Sequence, residues 1–228
     1  MGFGALRYNT GGYSNTAIGY KALCCNTNGK FNTAIGRFAL LYNTTGGSNT
    51  AIGIGALKSN VSGFVNTALG NSALRYNTTG NYNTAIGSSA LICSTTSNNN
   101  TAIGQNASLQ NTTGCNNLAI GKFALQENTT GNYNIALGQY ALKGQNGYST
   151  GGCNIAIGRG ALCYNTTGNI NIALGDGSLV LNTTGTGNIS LGSSALYSNT
   201  TANSNIAIGN YSMDPNIVTG KQIGRAHV

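Results

Sequence analysis

The stretch NTAIGRFALLYNTTGGS, Asn32 to Ser48, decides the fold, because variants of it make up nearly the whole chain. Counted from the Asn that opens each NTAIG or NIALG, copies begin at Asn15, Asn32, Asn49, Asn66, Asn83, Asn100, Asn117, Asn134, Asn154, Asn171, Asn188 and Asn205. Successive copies are 17 residues apart, except that 20 separate Asn134 from Asn154. The three extra residues fall within the Gly-rich KGQNGYSTGGC, Lys143 to Cys153. A fixed short period with one loop-like insertion is the signature of stacked structural repeats.

Seventeen residues are too few for two three-turn helices, and Gly, Asn and Thr recur where a helix would need its interior. The unit suits two short strands, TAIG and the residues around AL, joined by turns at NTTG where Asn and Gly tolerate left-handed angles. The predicted fold is therefore all-β: a parallel β-solenoid of about twelve coils, spanning residues 1–221 as a single repeat domain. With strands about 4.8 Å apart, twelve coils would measure roughly 58 Å.

One coil holds too few large apolar side chains to offset the ordering of its backbone, so the core must come from stacking. Two inward columns are expected. One is Ile18, Ile35, Ile52, Leu69, Ile86, Ile103, Ile120, Leu137, Ile157, Leu174, Leu191 and Ile208. The other is Leu23, Leu40, Leu57, Leu74, Leu91, Leu125, Leu142, Leu162, Leu179 and Leu196. The Asn column that opens the repeats, Asn15 to Asn205, is expected to stack as a side-chain amide ladder, as Asn does in cross-β arrays.

NTAIG followed by a small residue and a short turn resembles the YadA-like head repeat of trimeric autotransporter adhesins, and is also similar to Asn-Thr-Gly-rich repeats of phage tail fibres. The resemblance covers residues 1 to about 221. It implies a left-handed β-roll, association of three identical chains, exposure on the bacterial outer membrane, and multivalent attachment to a host-surface or matrix ligand. It brings no catalytic residue with it. The fibre alternative would place the same object on a virion.

The chemistry of the chain points away from catalysis. Charged residues are 6% of its 228 residues, against about 25% in ordinary soluble domains. Glu127, Asp176 and Asp214 are the three acidic residues and lie in different repeats, and the lone histidine is His227, so neither a triad nor an acid/base pair is in sight. No zinc-ligand spacing is present and no cofactor is expected. GIGALKSNVSG, Gly53 to Gly63, lacks the Gly-Lys-Ser/Thr ending of a phosphate loop.

The six cysteines do not suggest bridges within the chain. Cys25 and Cys93 share a repeat position but lie four coils apart, about 19 Å, beyond the ~7 Å that a disulfide spans. Cys115 and Cys153 come no nearer than two coils, roughly 10 Å. Cys24 and Cys25 are adjacent and point to opposite faces. Thiols are expected, with no support for an oxidising compartment.

A net charge of +8 gives a mildly positive surface. Arg37, Lys122 and Arg159 share one repeat position and Lys58, Arg75 and Lys143 another, so these columns are candidate contacts for acidic glycans or lipopolysaccharide. A dense basic patch with interleaved aromatics is not visible along the chain, and specific nucleic-acid binding is not expected. A third reading is an ice-binding solenoid, from Thr columns such as Thr44, Thr78 and Thr112, although adjacent Thr-Thr pairs would point to opposite faces of an extended backbone. NTT is also an N-glycosylation acceptor, which in a eukaryotic secreted product would coat one edge with sugar.

No segment approaches the ~20 apolar residues of a membrane-spanning helix. Met1-Gly2 falls where the repeat has Ile-Gly, so the chain opens in mid-repeat, and a stalk and membrane anchor, or a virion-attachment segment, is expected beyond the ends. The closing residues 222–228 leave the repeat, and IGRAHV reads as translated sequencing adapter.

Overall fold

The computed structural model describes residues 2–213 and the backbone of 223 and 224. It divides into two compact units, Met1–Cys115 and Asn116–Val228. The first carries β1 (Thr16–Ile18), β2 (Thr33–Ile35), β3 (Thr50–Ile52), β4 (Thr67–Leu69), β5 (Thr84–Ile86) and β6 (Thr101–Ile103). The second carries β7 (Leu118–Ile120), β8 (Ile135–Leu137), β9 (Ile155–Ile157), β10 (Ile172–Leu174), β11 (Ile189–Leu191), β12 (Ile206–Ile208) and β13 (Ile223–Gly224). Within each unit neighbouring strands pair in parallel and in register with the repeat, as in Thr33↔Thr50 and Ile172↔Ile189. Each unit is thus a parallel β-solenoid with one strand per coil, and no helix occurs among the described residues.

The second expected strand is absent. Around AL the backbone bends through left-handed residues: Leu40 has φ 50°, Leu74 52° and Leu91 50°, with Phe38, Ser72 and Ser89 at 56° to 62° two residues earlier. A non-glycine residue in that region costs about 1–2 kcal/mol, and the coil repeats it. The turns persist because their amides still bond to the neighbouring coil. Leu40 N donates to Ala56 O at 3.0 Å and Tyr42 N to Lys58 O at 3.0 Å, so curvature is gained without orphaning backbone groups.

The Leu column that includes Leu23, Leu40, Leu57 and Leu162 is fully buried. The Ile column is not, and this corrects the sequence reading. Ile18 is 52% exposed, Leu69 41%, Ile120 38%, Ile157 39% and Ile208 52%, with Ile35, Ile52, Ile86, Ile103, Leu137, Leu174 and Leu191 half-buried. The residue that points inward is the alanine before each, such as Ala34, Ala51, Ala85 and Ala173, at 0% exposure. A strand alternates its faces. With the opening Asn and this Ala turned in, the flanking Thr or Ile and the Ile or Leu must turn out. A narrow coil has room for that Ala, a second Ala such as Ala39, and one Leu. A further Ile would overfill it.

One departure shows how tightly the interior is matched. Ser178 and Ser190 replace two core alanines in neighbouring coils, and Ser178 Oγ lies 2.6 Å from Ser190 Oγ, which donates to Ala195 O at 2.7 Å. Paired, neither hydroxyl is left without a partner. The 20-residue coil accommodates its extra length as a loop, with Tyr148 79% exposed, and an isolated parallel bridge between Asn128 and Ser149 restores the register. Of the closing segment, Ile223 and Gly224 pair with β12, and the remainder of 222–228 lies outside the described residues.

Candidate functional site

The outward face of the strands is the first candidate surface, and it differs between the units. In the first unit it alternates Thr16, Thr33, Thr50, Thr67, Thr84 and Thr101 with the Ile/Leu column. In the second, Leu118, Ile135, Ile155, Ile172, Ile189 and Ile206 replace the threonines. Two parallel columns of branched aliphatics then face outward together, with the register fixed by backbone pairing.

The Asn columns form the second feature, and there are two of them. In the column that opens the repeats, Asn side chains within each unit accept from the Asn of the next coil. Asn66 N and Nδ2 donate to Asn49 Oδ1 at 2.9 and 3.1 Å, and Asn66 Nδ2 also donates to Gly80 O at 2.8 Å. Asn32, Asn83, Asn100, Asn134, Asn154, Asn171, Asn188 and Asn205 donate a backbone N–H to the preceding Asn in the same way, and Asn117 Nδ2 donates to Gly131 O. Asn15 is the first acceptor of the series. These side chains hold coil to coil and are sealed from solvent in nearly every repeat.

The second ladder was legible only as a turn. Asn43 Nδ2 donates to Asn26 Oδ1 at 2.8 Å and to Gly46 O at 2.9 Å; Asn60 and Asn77 continue the series. The glycine three residues on is part of the device, since a Cβ on Gly80 would lie 2.4 Å from Asn77 Oδ1 and 2.3 Å from Ser97 O. Where Ser94 replaces the Asn, Ser97 replaces the Gly, and their hydroxyls meet at 2.5 Å.

The NTT asparagines are therefore buried: Asn43, Asn77, Asn111 and Asn182 at 0% exposure, Asn199 at 1%, Asn128 and Asn165 at 2%. A sugar-coated edge is incompatible with the folded coil, because the nitrogen that would carry the glycan is enclosed and engaged. Passed through a eukaryotic secretory pathway, chains glycosylated at NTT are expected to be protease-sensitive and unglycosylated chains resistant. Limited proteolysis checks this, and a resistant glycosylated chain would contradict the packing. The first threonines of the NTT turns are also engaged, Thr44 Oγ1 donating to Val61 O at 3.0 Å and Thr166 Oγ1 to Thr183 O at 2.9 Å, while the second, as at Thr45 and Thr167, are exposed.

The six candidate polyanion contacts are not brought together as one site. Arg37, Lys58 and Arg75 lie in the first unit; Lys122, Lys143 and Arg159 in the second. Arg159 Nε and Nη2 donate to Asp176 Oδ1 and Oδ2 at 3.1 and 2.8 Å. This hydrogen bonding holds the Asp176 carboxyl below the usual carboxylate range and raises the Arg159 guanidinium further. Both groups are exposed, so the pair adds little to stability; what it adds is present above the ordinary carboxylate pKa and is lost as pH falls through the depressed one.

None of the six cysteines forms a disulfide. Burial raises the thiol pKa of Cys25, Cys93 and Cys163, which keeps them protonated at neutral pH. Among the described residues there is no cluster of metal-ligating side chains, and no helix is long and apolar enough to cross a membrane.

These features define a parallel β-solenoid repeat protein with 17-residue coils. No protein-family model matches the chain, and comparison with curated proteins and with solved structures finds no significant match.

Proposed function

We propose that the chain is part of a surface-exposed structural and adhesive rod, the head segment of a homotrimeric adhesin, in which copies pack through their strand faces and present the remaining coil surface for multivalent attachment. The observation that supports it is the outward double column from Leu118 to Ile208 in the second unit. Monomeric soluble proteins rarely expose contiguous apolar patches beyond about a few hundred Å². Covering such a stripe with the same stripe of a second and third copy removes it from water, and the regular coil step lets neighbours interdigitate. Many weak contacts along repeated coils then sum to avidity without a deep pocket.

The test is an attachment assay with the chain displayed on beads over immobilised extracellular-matrix proteins and host cells. Beads carrying the native chain are expected to attach, and beads carrying Ile172→Lys/Leu174→Lys to attach at least about tenfold less, since separated copies lose avidity. Circular dichroism should be unchanged, because both side chains point out of the coil. Native beads that fail to attach to any of these surfaces would sink the adhesive reading.

A further inference from the structure

The fold assembles a cation–aromatic stripe that no local stretch of sequence displays. Five successive coils of the first unit place a cation beside aromatic rings, on residues outside the strands, and Lys30 adds another 4.5 Å from the Tyr13 ring. The Arg7 guanidinium lies 5.3 Å from the Tyr8 ring centre and the Lys21 ammonium 5.3 Å from Tyr20. Arg37 lies 4.7 Å from Phe38 and 6.0 Å from Tyr20. Lys58 stands between Phe38 at 5.5 Å and Tyr42 at 5.8 Å, and Arg75 lies 5.5 Å from Tyr76. Tyr20 and Phe38 meet edge to face at 5.4 Å, which joins two neighbouring coils of the series.

Arg7, Tyr8, Lys21, Phe38, Tyr42 and Lys58 line an open groove of about 360 Å³. No counter-charge is near in the chain: all three acidic residues follow residue 115, so the first unit carries cations alone. In the second unit, by contrast, Arg159 is already held by Asp176.

We propose that this stripe is a binding site for a linear acidic polysaccharide, one bearing carboxylates or sulfates along its length. Successive coils rise by about 4.8 Å, and the cations, spread over three repeat positions of those coils, face the anionic groups of a polymer laid along the stack. A single-stranded nucleic acid would need open ring faces on which bases stack. Here cations sit over the faces of Tyr20, Phe38 and Tyr42, so charge is presented and stacking platforms are not. The site goes beyond the adhesive reading by naming a ligand class, and it involves no strand-face residue, so it stands or falls apart from trimer formation.

The experiment measures binding of the full chain to heparin and to polygalacturonate across a salt series, with a thymidine oligonucleotide as the nucleic-acid probe and dextran as the neutral one. Both acidic polysaccharides are expected to bind in low salt and weaken as salt rises, with dextran silent. Arg37→Gln/Lys58→Gln/Arg75→Gln is expected to weaken binding by about tenfold or more. Lys122→Gln/Lys143→Gln/Arg159→Gln removes the same charge from the second unit and should retain binding within about twofold. Lys58→Glu supplies an independent single variant with the same expected direction. Equal losses in both triple variants, absence of binding to either polysaccharide, or tighter binding of the oligonucleotide would each overturn the assignment.

Discussion

Gly87→Ala is expected to lower stability by at least about 3 kcal/mol, more than any surface substitution in the chain. Gly87 has φ +130°, outside the region that residues with a side chain adopt, and a Cβ there would lie 2.6 Å from Gly104 O and 2.7 Å from Gly104 C. The obstruction is backbone, which cannot swing aside as a flexible side chain would. Gly55 is the informative control. Its φ of +66° is ordinary left-handed, the nearest atom to an added Cβ is Ser72 Oγ at 3.9 Å, and the matching position in other coils holds Phe38, Ser72 and Ser89. Gly55→Ser should therefore cost only the left-handed penalty of about 1–2 kcal/mol. Urea unfolding followed by circular dichroism compares the two, and equal midpoints would show that close glycine stacking does not set the coil.

Asn66→Ala is expected to cost about 1–3 kcal/mol, the scale for one buried group left without a partner. Asn66 is fully buried and engaged on both sides. Besides its own three donated bonds, its Oδ1 accepts from Asn83 N at 3.0 Å and Asn83 Nδ2 at 3.2 Å. Removing the amide strands the Asn83 N–H within a dry stack, while Asn49 Oδ1 keeps the Asn66 N–H and Gly80 O keeps Asn77 Nδ2. Exposed Asn71→Ala should change little by comparison.

Asn66→Asp separates the donor from the acceptor role. A carboxylate still accepts from Asn83 but faces Asn49 Oδ1 and Gly80 O, so burial and these oxygens disfavour its charged form and raise its folded pKa. A group with a raised folded pKa of this kind favours folding while protonated. Asn66→Asp should thus be most stable below the ordinary Asp pKa of about 3.9, and lose stability as pH rises towards neutrality. Thermal unfolding at several pH values reads this directly, and a variant as stable at neutral pH as in acid would contradict the ladder geometry.

How much was legible depended on whether a residue's role is set within its own coil or by its neighbours. The period, the insertion at Lys143 to Cys153 and the buried Leu column followed from identities that recur every 17 residues. The facing of Ile18 to Ile208 did not, because apolar character was equated with an inward direction. The sequence did hold a signal: the residue between the two outward positions is Ala in all coils but that of Ser190, while its neighbours change from Thr to Ile. Small-residue constancy marks a tight interior, and drift between Thr and Ile marks a surface.

The missing strand has a different cause. Leu at φ near 50° runs against intrinsic preference, and only bonds such as Leu40 N to Ala56 O, in the next coil, hold it there. The NTT asparagines read correctly as turn residues, but their second task, bonding the next coil, is invisible in one repeat. Likewise, the stripe from Arg7 to Arg75 is scattered in the chain and joined only when coils stack.

The central claim is that the outward Ile and Leu columns are covered by further copies of the same chain. Sedimentation equilibrium of the purified chain tests it most directly. A species of three times the 23.2 kDa chain mass is expected, reduced to one chain by Ile172→Lys/Leu174→Lys without loss of β-structure. A native chain that sediments as a folded monomer across the micromolar range would contradict it.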